Sequence, residues 1–130
     1  MVGQGARPHA VLKSGGREIA RARLARTAAS RLLGWIGTVP RPQETLWIEP
    51  CAAVHTFGMR ATIDVAFVGP DGTVLKVVRS MRPWRAALCW GAAAAVEFPE
   101  GGAADIRKGN VLELEFRCDS DGVESGIILA

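Results

Sequence analysis

Two runs of β-branched and aliphatic residues, Ile63-Asp64-Val65-Ala66-Phe67-Val68 and Thr73-Val74-Leu75-Lys76-Val77-Val78, flank Gly69-Pro70-Asp71-Gly72. In such a turn proline presets φ, aspartate bonds the backbone two residues on, and glycine accepts positive φ. The segment predicts a β-hairpin whose apolar arms require a second layer to cover them. A second hairpin is predicted where Ala10 to Lys13 and Glu18 to Ala25 flank Ser14-Gly15-Gly16-Arg17. In its second arm Ala20, Ala22 and Leu24 face inward while Arg21 and Arg23 face water, the period of two of a half-buried strand.

The remaining elements are short. Thr27 is a candidate N-cap for a helix through Leu33, weakened by Gly34 and Gly37, and the prolines of Val39-Pro40-Arg41-Pro42-Gln43 make a loop. Leu46-Trp47-Ile48 reads as a strand ended by Pro50, and Ala92 to Phe98 as helix by alanine content or strand by its end. One helical turn is expected over Gly101 to Ile106, then a strand over Val111 to Phe116 with its glutamates on the wet face. Ile127-Ile128-Leu129 either adds an edge strand or lies on the surface. The expected organisation is a flexible arm over residues 1–8, one β-rich domain over 9–118, and an extension or edge strand over 119–130. The fold class is mainly β, a small antiparallel sandwich or partly open barrel with one or two short helices.

Composition narrows the function classes. With 130 residues, 48% hydrophobic and 22% charged, the chain is of ordinary globular make-up and suited to one core. No window approaches eighteen unbroken apolar residues, so no membrane span is expected, and the opening residues lack the apolar stretch of an export signal, which points to the cytoplasm. Cys51, Cys89 and Cys118 form no C-x-x-C pair and read as free, mostly buried thiols. Charge is uneven: Arg7 to Arg31 holds seven basic residues and one acid, whereas Glu97 to Glu124 holds eight acids and three basic residues. Pairing of the two terminal strands explains this better than nucleic acid, because no aromatic residue before Trp35 offers a base a stacking surface. Nucleic-acid binding through Lys13, Arg17, Arg21, Arg23 and Arg26 stays as an alternative.

The densest polar segment runs from Cys51 to Asp64. Aspartate is depleted within strands, so Asp64 implies nearby donors, and the amides of the Phe57-Gly58-Met59 turn are expected to supply them. Pairing of Asp64 with His55 would make an acid and base, but no serine or cysteine nucleophile signature accompanies it and the structural reading is preferred. Two histidines are too few for an evident metal site, phosphate-loop spacing is absent, and no cofactor is expected. Arg82-Pro83-Trp84-Arg85 either grips an anion beside an indole or forms a loop anchored by a buried tryptophan, the second being favoured. The leading expectation is a noncatalytic module that holds a small ligand or protein segment in a concavity around His55, Thr56, Met59, Arg60, Asp64 and Glu97. A hydrolase using His55 with Asp64 or Glu97 is the enzyme alternative.

Several of these residues, taken in order, resemble the domain-of-unknown-function 192 family. They are Arg31-Leu32-Leu33-Gly34, His55-Thr56-Phe57-Gly58-Met59-Arg60, Ile63-Asp64-Val65-Ala66-Phe67, Asp71-Gly72, Pro83-Trp84, and Val96-Glu97-Phe98-Pro99 with Gly101. The resemblance implies a compact β-rich fold and no particular reaction; many members carry an export signal. Ala61-Thr62 and Glu100 depart from the family pattern, which implies a wider and more polar pocket here.

Overall fold

The computed structural model describes residues 8–25, 44–118 and 128–129. The predicted first hairpin is β1 (Pro8–Ser14) and β2 (Arg17–Ala25), with Gly15 and Gly16 both at positive φ in the turn. After β3 (Glu44–Ile48) come β4 (Ala53–His55) and the second predicted hairpin, β5 (Ile63–Val68) with β6 (Val74–Met81). Its turn closes as expected: Gly72 donates to the Gly69 carbonyl and the Asp71 carboxylate accepts from the Thr73 amide. That bond holds the Asp71 carboxyl below its usual range. The chain continues through β7 (Ala86–Leu88), β8 (Ala94–Pro99), β9 (Leu112–Cys118) and β10 (Ile128–Leu129).

Eight strands form one sheet in the order β10-β9-β1-β2-β3-β8-β5-β6, and β4 pairs with β7 in a separate ribbon. Every ladder is antiparallel except β2 with β3. Thr73 at the head of β6 bridges Val111 at the head of β9, so the sheet curls until its two ends touch at one point. The result is mainly β, a partly open barrel rather than a closed one.

Strand alternation divides the apolar residues between the two faces. Leu12, Trp47, Ala66, Val68, Val96, Phe98, Leu112 and Leu114 fill the concave side, where Ala103 and Ile106 of the loop after β8 plug one end. Leu46, Ile48, Ile63, Val65, Phe67 and Ala95 face the other way and are covered by Val54 and Ala87 of the ribbon together with Met59. Burying each large side chain contributes about 1.5–3 kcal/mol, which is what holds the ribbon on the sheet.

The charge asymmetry resolves as strand pairing. β1 lies against β9, with Lys13 opposite Glu113 and Val11 opposite Glu115. Lys13 and Arg117 converge on Glu115, and Arg117 also bridges Glu18 at 2.7 Å. Glu115 is therefore nearly buried rather than on a wet face, because two cations cover it. A second correction concerns Gly101 to Ile106, which is a succession of hydrogen-bonded turns and not a helical turn. Among the described residues there is no helix; the expected Thr27 to Leu33 helix lies outside them. Of the Ala92 to Phe98 segment, Ala94 to Phe98 are strand, because they sit between β3 and β5 with their backbone groups used on both sides.

Candidate functional site

Asp64 occupies the concave face of β5, opposite Phe98. It is 2% exposed, and its carboxylate accepts three amides: Ser80 at 2.9 Å, Gly101 at 3.1 Å and Ala103 at 3.1 Å. A carboxylate satisfied by several backbone amides was expected, but the Phe57-Gly58-Met59 turn is not their source. Met59 packs against the opposite face of the sheet, so alternation along β5 aims Asp64 away from it. Arg79 completes the arrangement from β6, donating to the carbonyls of Ala103 and Ile106. Anion and cation together fix the plug loop by its amides and its carbonyls.

Thr56 does similar work on the ribbon side. It is fully buried, its hydroxyl donates to the Arg82 carbonyl at 2.6 Å, and it accepts the Arg85 amide at 2.8 Å. Its own amide donates to Arg85 and its carbonyl accepts from Trp84. One threonine thus holds the whole Arg82-Pro83-Trp84-Arg85 loop. The favoured expectation that a buried tryptophan anchors this loop is overturned, since Trp84 is 66% exposed. Trp84 has φ 65° and Ser80 φ 53°, left-handed conformations that cost a non-glycine residue about 1–3 kcal/mol and are tolerated where neighbours impose them. The Asp64 and Thr56 bonds are those neighbours.

Between these two staples lies a shallow cavity of about 370 Å³, open to solvent and lined by residues 78–82 with Arg85 and Ala86. Arg79 is committed to the plug loop, while Arg82 and Arg85 are exposed at the rim. No carboxylate is among the lining residues.

His55, on the outer face of the ribbon opposite Ala86, is exposed, and its Nδ1 accepts the Phe57 amide at 3.2 Å. Its ring lies 4.9 Å from that of Phe57, which stacks at 5.7 Å on Trp84. Met59 is buried in the layer beneath the ribbon, and Arg60 is exposed beside it. Glu97 faces the ribbon side of the sheet between Leu46 and Val65, the side opposite Asp64. It is 5% exposed, and burial raises its carboxyl to a pKa of about 7 against the opposing charge of Arg23. The six predicted site residues are therefore not one concavity. His55 ends β4, Thr56, Met59 and Arg60 lie in the loop that follows it, and the two carboxylates lie on opposite faces. The rim guanidiniums of Arg82 and Arg85 were flagged in the sequence by their flanking of Pro-Trp, but the exposure of that tryptophan is a tertiary property.

The family model DUF192, described as Uncharacterized ACR, matches residues 10–114. The chain belongs to the DUF192 family. The match runs from within β1 to the first three residues of β9, and so includes both staples and the cavity. No curated protein is significantly similar to this DUF192 chain. Its fold recurs in a protein of unknown function from Novosphingobium aromaticivorans DSM 12444, with TM-score 0.70 and 23% identity over 81% of this chain and 83% of the other. It recurs also in a protein of Sinorhizobium meliloti 1021 whose assignment as a transcription regulator is provisional. There the TM-score is 0.72 and identity 17%, over 86% of this chain and 97% of that one. At these identities the likeness concerns the fold of the DUF192 domain alone. No helix among the described residues is long and apolar enough to cross a membrane.

Proposed function

We propose that this DUF192 domain is a noncatalytic binding module that holds a small anionic ligand, a carboxylate or phosphate compound, in the cavity beside the 82–85 loop. The observation that carries the reading is a cavity rimmed by two exposed guanidiniums and lined by no acid. Planar guanidiniums suit oxyanions because their N–H groups match carboxylate and phosphate geometry. Thr56 and Asp64 act here as positioning residues, one holding the loop that carries Arg82 and Arg85, the other holding Ser80 in the cavity wall.

A hydrolase pairing has less support. The Asp64 oxygens are taken by three amides, His55 Nδ1 by Phe57, and Glu97 lies within the sheet between Leu46 and Val65. Thermal unfolding in sodium phosphate and in sodium citrate, against sodium chloride of matched ionic strength, tests the proposal. An anion that binds only the folded state raises the midpoint. At least one of the two is expected to do so for the wild type and not for the Arg82→Ala, Arg85→Ala double variant. Equal shifts in both proteins, or none in the wild type, would refute it.

A further inference from the structure

The β4–β7 ribbon has two faces of different fate. Val54 and Ala87 point into the core, while Ala53, His55, Ala86 and Leu88 point outward and are exposed. At one end of that outer face stand Phe57 and Trp84; at the other, in the turn after β7, stands Trp90. Their exposures are 44%, 66% and 89%, and that of Leu88 is 50%. Four of the five large apolar side chains exposed among the described residues are thus gathered on this ribbon and its turns.

Charge around the patch has one sign. Residues 50–63 and 72–96, which build the ribbon, its turns and β6, contain Arg60, Lys76, Arg82 and Arg85, besides Arg79, which is turned to the plug loop, and not one Asp or Glu. Lys76 reaches the ribbon itself, donating to the Leu88 carbonyl at 3.0 Å. Indole rings at the tips of turns, an aliphatic side chain between them and a cationic surround are the elements of a surface that rests in the headgroup layer of a bilayer. Indole prefers the interface between water and hydrocarbon, and each basic residue near an anionic leaflet adds attraction.

We propose that the outer face of the β4–β7 ribbon docks on an anionic lipid surface, with Trp84, Leu88 and Trp90 entering the headgroup layer and Arg60, Arg82 and Arg85 meeting lipid phosphates. The docking face shares Arg82 and Arg85 with the cavity rim, so lipid phosphate and a soluble anion would compete for these two groups, whereas Leu88 and Trp90 serve the lipid alone. An acidic protein would satisfy the charges, but it would leave three indole and aliphatic tips, each on a separate turn or strand, without a common hydrophobic pocket to enter.

Co-sedimentation of the full chain with vesicles of phosphatidylcholine, alone or with about one-third phosphatidylglycerol, tests this. The mixed vesicles are expected to bind the protein at least tenfold more strongly than the neutral ones, and to shift tryptophan emission to the blue. A Leu88→Ser, Trp90→Ala double variant, altered only at exposed positions, should lose about tenfold in partition while keeping its thermal midpoint. Absence of binding to the anionic vesicles, or equal partition of variant and wild type, overturns the proposal. So does lipid-free self-association in ultracentrifugation that the double variant abolishes, since the face would then belong to a second copy. Because the phosphate and citrate melts use no lipid and the Leu88, Trp90 variant keeps both arginines, the two experiments can fail separately.

Discussion

Asp64 and Glu97 are both buried carboxyls on adjacent strands, and their surroundings make them opposites. Asp64 has three amide donors, and loss of its charge would leave those donors facing a poorer acceptor. Asp64→Asn is expected to cost about 3 kcal/mol, read as a lower urea midpoint. Glu97 has desolvation as its largest influence, raising its pKa from 4.5 to about 7. The native state then holds a proton that the unfolded state releases between these values, so stability falls as pH rises from 4.5 to 7. A displacement of that size corresponds to about 3 kcal/mol, fully lost only above pH 7. Glu97→Gln removes the linkage. Urea melts at pH 4 and pH 8 should show the variant gaining on the wild type by up to about 3 kcal/mol at the higher pH. A pH-independent difference between the two proteins would contradict this account of Glu97.

At the scale of elements, two connections carry as much as the strands do. The 82–85 loop depends on Thr56, and the plug after β8 depends on Asp64, Arg79 and a close approach at Gly102. A Cβ on Gly102 would stand 2.9 Å from the Pro99 carbonyl and 3.0 Å from the Phe98 Cβ. Gly102→Ala is expected to destabilise by about 1–3 kcal/mol, measured by thermal unfolding, because the plug must lift away from Phe98. The same substitution at Gly101 meets no neighbouring atom but forces φ 85° on alanine, a backbone penalty in place of a steric one. Hairpin turns and period-two arms were legible in the chain because each is a property of neighbouring residues. The helical turn expected over Gly101 to Ile106 does not form, because composition there says nothing of Asp64 and Arg79, which lie far away in sequence and hold the loop by its amides and carbonyls.

Across the whole molecule, the two ends of the chain are joined by β1, its first strand, and β9, its last but one. β1 pairs with β9 along all seven of its residues, and the Lys13, Glu18, Glu115 and Arg117 cluster lies across and beside that seam. The complementary charge of the two ends anticipated this pairing. Joining strands about a hundred residues apart requires closing a long loop before contacts compensate for it, so folding is expected in milliseconds to seconds. Stopped-flow tryptophan fluorescence measures that rate, and a submillisecond phase carrying the full amplitude would contradict the topology.

Strand alternation, turn residues and charge asymmetry were enough to determine a mainly β fold, both hairpins and the contact between the chain's ends. Each is encoded by residues a few positions apart or by whole-segment charge. The parallel pairing of β2 with β3, the separate β4–β7 ribbon, the direction in which Asp64 points and the exposure of Trp84 were decided by tertiary structure. They depend on which distant backbone groups come within hydrogen-bonding reach and on which side of the sheet a layer settles. Neither quantity exists until the sheet has curled.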